Sequence, residues 1–129
     1  MINENDRATL ISYRIQQSKE TIKLAEFLIG SNKLIVAVNR IYYGMYYALT
    51  ALALKHKFET SKHAQLIGWF NKEFVATTKV DKSYGKMLRK AFEDRTKGDY
   101  DAFVDFSLAV VEDKLIDMKQ FINMVDSIL

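Results

Sequence analysis

Not one proline interrupts the 129 residues, and only five glycines do. Inside a helix, proline costs about 3 kcal/mol and glycine about 1 kcal/mol relative to alanine. A chain with none of the first and little of the second is free to be helical almost throughout. The apolar spacing uses that freedom. Ile11, Ile15, Ser18, Ile22, Ala25 and Ile29 recur at steps of four and three, which places them on one helix face. Leu108, Val111, Leu115, Met118, Ile122, Val125 and Leu129 repeat the pattern as a narrow seam. Between them, Val38, Ile41, Met45, Leu49 and Leu52 form a third stripe. No stretch alternates with period two, and no internal repeat is visible.

The spacing predicts five helices. The first runs from about Asp6 to Ile29, with Gly30 as a left-handed stop and Ser31 or Asn32 capping the next. The second covers about Lys33 to Lys57. The third starts near Thr60-Ser61 and carries Leu66, Ile67, Phe70 and Phe74. After a polar, β-branched break at residues 76–81, the fourth spans about Lys82 to Lys97, where Gly98 stops it. The fifth spans about Asp101 to Ser127, capped by Asp99 or Asp101. Short connections make neighbours antiparallel, so the expected fold is all-α: one domain, residues 1–129, an up-and-down bundle of four long helices and a shorter one.

Composition closes several routes. With no cysteine, a disulfide scaffold, a thiolate zinc site and a cysteine nucleophile are excluded together. His56 and His63 have no carboxylate partner at ligand spacing, so neither a metal nor a cofactor is expected. No HExxH, glycine-rich phosphate loop or Ser/His/Asp ordering is present. The start, Met1 to Asp6, is polar and acidic, unlike a secretory signal, and no apolar run approaches the ~20 residues that span a bilayer. The expected compartment is the cytoplasm. A net charge of +3 permits contact with nucleic acid without requiring it.

Two constellations could carry chemistry. On helix two, Arg40, Tyr43, Gly44 and Tyr47 form one stripe, while Tyr42 and Tyr46 fall with the core row of Ile41, Met45 and Leu49. A cation beside phenols can bind phosphate, or it can pair with an acidic residue of a neighbouring helix. Gly44 in mid-helix fits the close approach of another helix. The second constellation is Arg95-Thr96-Lys97-Gly98-Asp99-Tyr100, a cation at a helix end followed by an aspartate and a tyrosine. Helix punctuation accounts for everything there except Tyr100. Glu93-Asp94 and Glu112-Asp113 are adjacent pairs and read as solvated faces.

The run Asn39-Arg40-Ile41-Tyr42-Tyr43-Gly44-Met45-Tyr46-Tyr47-Ala48, then Ser61-Lys62-His63, then Phe70 to Phe74, then Arg95 to Tyr100, resembles the HEPN family (higher eukaryotes and prokaryotes nucleotide-binding). The resemblance covers about Ile11 to Phe121. It implies a twofold dimer, and it brings the helix-two stripe close to Arg95. In members that cleave RNA, an Arg is followed after four to six residues by a His, without a metal. The Arg steadies the phosphate and the His moves the ribose 2′-hydroxyl proton. Here those positions hold Tyr100, Asp101 and Ala102. A phenol, with an ordinary pKa near 10, is a poor base at neutral pH.

The resemblance therefore points to a non-catalytic HEPN-like domain that binds a nucleotide, an RNA phosphate or a partner protein through Arg40, Tyr43, Arg95, Asp99 and Tyr100. Tyr43, Gly44 and Tyr47 are the expected homodimer surface. Such small members are paired with a minimal nucleotidyltransferase in toxin–antitoxin or defence modules. Two other readings stay open: a metal-independent ribonuclease with a degenerate motif, and a purely structural dimerisation module with both arginines locked in salt bridges.

Overall fold

The computed structural model describes residues 2–129. Five α-helices form an all-α bundle, with no strand among the described residues: α1 (Glu4–Gly30), α2 (Leu34–Lys55), α3 (His63–Phe70), α4 (Lys82–Tyr100) and α5 (Leu108–Ile128). A π-helical turn, Asn71–Val75, extends α3. The sheetless bundle and its element count follow the periodicity; several helix ends do not.

The middle of the bundle is α2, which packs against each of the other four α-helices. Its buried row includes Ile41, Tyr42, Met45, Leu49 and Leu52, all without meaningful solvent access. Ala25 and Leu28 from α1, Phe70 and Phe74 from the α3 arm, Leu88 from α4, and Met118, Phe121 and Ile122 from α5 pack around it in the core. Gly44 lies inside this packing. A Cβ there would run into the Met118 methyl group and press on Thr21 of α1. The glycine thus permits the expected close helix approach, but the approach is within one chain. This corrects the placing of Gly44 on a dimer surface, because the residue is buried in its own protomer.

Helix ends are set by local hydrogen bonding. Asn3 caps α1 through its side chain, which accepts from the Asp6 N–H at 2.8 Å. Gly30 is still helical, and the left-handed residue is Asn32, φ 57°. The Lys33 N–H reaches back to the Leu28 carbonyl at 2.8 Å, closing a Schellman turn. Ser31 and Asn32 therefore end α1, and α2 has no side-chain cap. Lys57, φ 59°, does the same after α2, with Phe58 N–H to the Ala53 carbonyl at 2.9 Å. Helix α3 begins at His63, two residues after the expected Thr60-Ser61 start.

The corner after Arg95 differs most. Gly98 does not stop α4, which continues through Tyr100. Asp99 is therefore helical, and Asp101 ends α4; its carboxylate accepts from the Phe103 N–H at 2.9 Å. Neither caps α5. Ser107 does so, accepting from the Val110 N–H, and residues 101–107 form the connection. Asp94 is also not solvated: it is only 3% exposed, bonded to Lys114 of α5 and 3.3 Å from Lys90. Helix α5 supplies a cation where the α4 carboxylate turns inward, and this satisfies a charge that burial would otherwise penalise.

Candidate functional site

Arg95 and the helix-two stripe meet. Position 95 on α4 turns its guanidinium toward α2, where Nη2 donates to the Tyr43 hydroxyl at 3.2 Å. The same guanidinium lies 5.2 Å from the Tyr43 ring centre, 5.3 Å from Tyr42 and 5.8 Å from Phe92. Nη1 is 3.6 Å from the Asp99 carboxylate, one helical turn on. Arg95 Nε is buried without a hydrogen-bond partner.

Arg40 joins through a second path. Its Nε and Nη2 donate to the Asn39 side-chain oxygen at 2.9 and 2.6 Å. The Asn39 amide donates in turn to both Asp99 oxygens at 3.2 Å. The Arg40 guanidinium is 4.8 Å from the Tyr43 ring centre. The contacts close a circuit: Arg40 to Asn39, Asn39 to Asp99, Asp99 to Arg95, Arg95 to Tyr43, and Tyr43 back to Arg40. The circuit holds one carboxylate and two guanidinium groups, so the patch keeps a surplus positive charge. Among the described residues Arg40 forms no ion pair, only bonds to a neutral amide.

Tyr100 is not part of this circuit. Five positions from Arg95 is about 500° of helix rotation, which aims it to another side of α4, where it is 79% exposed. Tyr47 stays next to the site, with its ring 6.1 Å from Tyr43. Asn39, the residue before Arg40 in the run, is the bridge between Arg40 and Asp99.

His63, which the sequence offers as part of the Ser61-Lys62-His63 stretch without a role at this site, joins it too. As the first residue of α3 it comes down onto the tyrosines. Nδ1 is 2.6 Å from the Tyr42 hydroxyl, and the ring stacks on Tyr46 at 4.1 Å and 8°. It also borders Tyr43 and Phe92, two of the rings around Arg95. Burial pushes the His63 pKa below its ordinary value of 6.5, and the Arg95 charge pushes it the same way. Burial also raises the Tyr42 hydroxyl well above 10. At neutral pH the site thus holds a neutral imidazole, a protonated phenol and two fixed cations. The available signal was the co-occurrence of Ser61-Lys62-His63 with the tyrosine run; no local pattern says that two helices will bring them together. His56 lies elsewhere, against Trp69 and Phe74.

Among the described residues, no group of three or more His, Cys, Asp or Glu side chains could hold a metal ion, and no helix is long and apolar enough to cross a membrane.

The chain is 34% identical over 125 residues to a UPF0332 protein of Thermotoga maritima, covering 97% of this chain and 95% of the relative. It is 30% identical over 109 residues to a Methanocaldococcus jannaschii protein named "putative toxin", covering 84% of this chain and 74% of that one. The family model for the HEPN domain matches residues 11–128. The chain belongs to the HEPN family.

Proposed function

We propose that this chain is a toxin-type HEPN protein whose Arg40–Tyr43–Arg95 face binds the phosphate of a nucleotide or an RNA strand. The toxin part of this reading comes from the names of two Methanocaldococcus jannaschii relatives. The observation that carries the phosphate part is the imbalance of charge: two guanidinium groups flank the Tyr43 ring, and the one carboxylate of the circuit, Asp99, pairs with Arg95 alone. Guanidinium forks match phosphate oxygens in pairs, and Arg40 can exchange a neutral amide for an anion at little electrostatic cost. Asp99 then orients Arg95 and Asn39. Tyr100 stands apart from the circuit and can meet only a ligand that reaches around α4. The twofold dimer and the nucleotidyltransferase partner implied by the resemblance belong to the same proposal.

A purely structural pairing of both arginines has less support, because Arg40 meets no carboxylate. Arg95→Ala is expected to abolish retention on an immobilised nucleotide or RNA, with the helical circular dichroism unchanged. Equal retention of the variant overturns the site assignment.

A further inference from the structure

Helix α1 carries a second apolar row besides the one that faces the core. Ser18, Ile22 and Ala25 pack inward. Along the flank of the same helix run Leu10, Tyr13, Gln17, Glu20, Leu24 and Phe27, at steps of three, four, three, four and three. Leu10, Tyr13, Leu24 and Phe27 are all exposed, Phe27 at 67%. A single exposed leucine is ordinary on any protein surface. Four large apolar side chains in heptad register on one helix of 27 residues are a seam for a second helix.

The series reads the same from both ends. Turned end over end against a copy of itself, α1 sets Leu10 against the partner's Phe27 and Tyr13 against the partner's Leu24. Gln17 then meets the partner's Glu20, and every contact occurs twice. This is the self-complementarity that a twofold interface requires. The polar middle layer is matched as well. The Gln17 side-chain oxygen accepts from Arg14 Nη1 at 2.9 Å, so its amide N–H groups remain to donate to the partner's Glu20. Among the described residues the Glu20 carboxylate meets only the Gln16 amide, at 3.4 Å.

Shape follows the same symmetry. Leu10 borders a groove of about 510 Å³ between α1, α2 and the α2–α3 connection, walled by Tyr46, Tyr47, Leu54 and Phe58. Phe27, the most exposed large apolar side chain of α1, stands at the mirror position of the series. Each copy thus offers a knob at one end of the helix and a hole at the other. We propose that a second copy of this chain packs on α1 in antiparallel register, with Phe27 of each copy seated in the groove beside Leu10 of the other. The two copies bring eight large apolar side chains and two grooves together, on the scale of the about 1,000 Å² that a specific interface needs. The proposal rests on the twofold dimer in the reading above and names its surface; it is independent of phosphate binding. Tyr46, the ring on which His63 stacks, is a wall of the groove, so the partner's Phe27 abuts the tyrosine cluster of the site.

The test uses the full chain, sedimentation at micromolar concentration and cysteine trapping, which is clean because the chain has no cysteine of its own. Wild type is expected to sediment as a dimer. Phe27→Asp removes two aromatic anchors per dimer and should raise the dissociation constant about 100-fold or more, with the helical circular dichroism unchanged. Tyr13→Cys and Leu24→Cys, mixed and mildly oxidised, should cross-link to each other, whereas each variant alone cross-links far more slowly. Wild type that is monomeric overturns the dimer and this seam with it. A wild-type dimer that Phe27→Asp leaves intact, or cross-links that form as fast within one variant as between the two, overturns the seam alone and puts the dimer on another face. Arg40 and Arg95 are untouched throughout, so no outcome bears on the phosphate site.

Discussion

His63 shows how a single side chain changes character with its surroundings. In water its imidazole would be about half protonated near pH 6.5. Here burial and, second, the Arg95 guanidinium both disfavour the charged ring. A proton-detected titration of the two histidines should therefore give His63 a midpoint below 6.5. Arg95→Ala should raise that midpoint without restoring the ordinary value, since the larger cause, burial, is untouched. A midpoint that ignores Arg95 would show that the guanidinium does not act on the ring. The sign for stability follows. As pH falls, the unfolded chain takes up the histidine proton before the folded one does, so stability is complete above about 6.5 and declines toward the folded pKa. Replacing His63 by Gln should flatten that part of the profile, read as the urea midpoint between pH 7 and 5.

At the scale of elements, two contacts fix how the helices sit. Gly44 lets α2 approach α5 and α1, and Gly44→Ala sets a methyl against Met118 and Thr21. The alanine gains up to about 1 kcal/mol in helix propensity, but overpacking a filled core costs about 1–3 kcal/mol. A net fall of a few degrees in thermal midpoint is expected, and a rise would mean that Met118 yields freely. The α4–α5 contact turns on Asp94 and Lys114. Asp94→Ala removes the carboxylate and leaves Lys114 mostly buried, which should cost about 3–5 kcal/mol. The denaturant midpoint should drop with an unchanged slope; a loss under 1 kcal/mol would show that Lys114 simply swings out to solvent.

These same elements show what a sequence can and cannot display. Helix existence was legible because burial repeats every three or four residues, and the α5 seam begins at Leu108, the residue where the helix starts. Its end was misplaced because Asp99, Asp101 and Ser107 are all good caps, and only tertiary packing selects Ser107. Gly98 was a plausible stop, yet its φ is not left-handed and the helix absorbs it. Asp94 appeared solvated because its cation comes from a helix twenty residues further on. Within the site, Arg40, Tyr43, Arg95 and Asp99 were legible by residue type and spacing. Asn39 and His63 were not, since each gains its role only from a partner on another helix.

At the scale of the whole molecule, the question is what lies against the tyrosine face. With Gly44 internal, only Tyr43 and Tyr47 of the expected dimer surface can reach a second copy, and both are half-buried in their own chain. A twofold contact needs the same patch on each copy, so it would bring two Arg40–Tyr43–Arg95 circuits together. Two cationic patches repel unless an anion or an acidic residue stands between them. A dimer through this face should therefore tighten when a polyanion is bound and weaken at low salt without one. Sedimentation at micromolar concentration, with and without a short RNA, reads this directly. The expected result is a dimer whose association strengthens with RNA, and Tyr47→Arg should shift it toward monomer by adding a like charge at the seam. A protein that sediments as monomer in every condition removes the dimer from the proposal. A dimer indifferent to RNA and to Tyr47→Arg moves the interface to another face and leaves the phosphate site open to solvent on each copy.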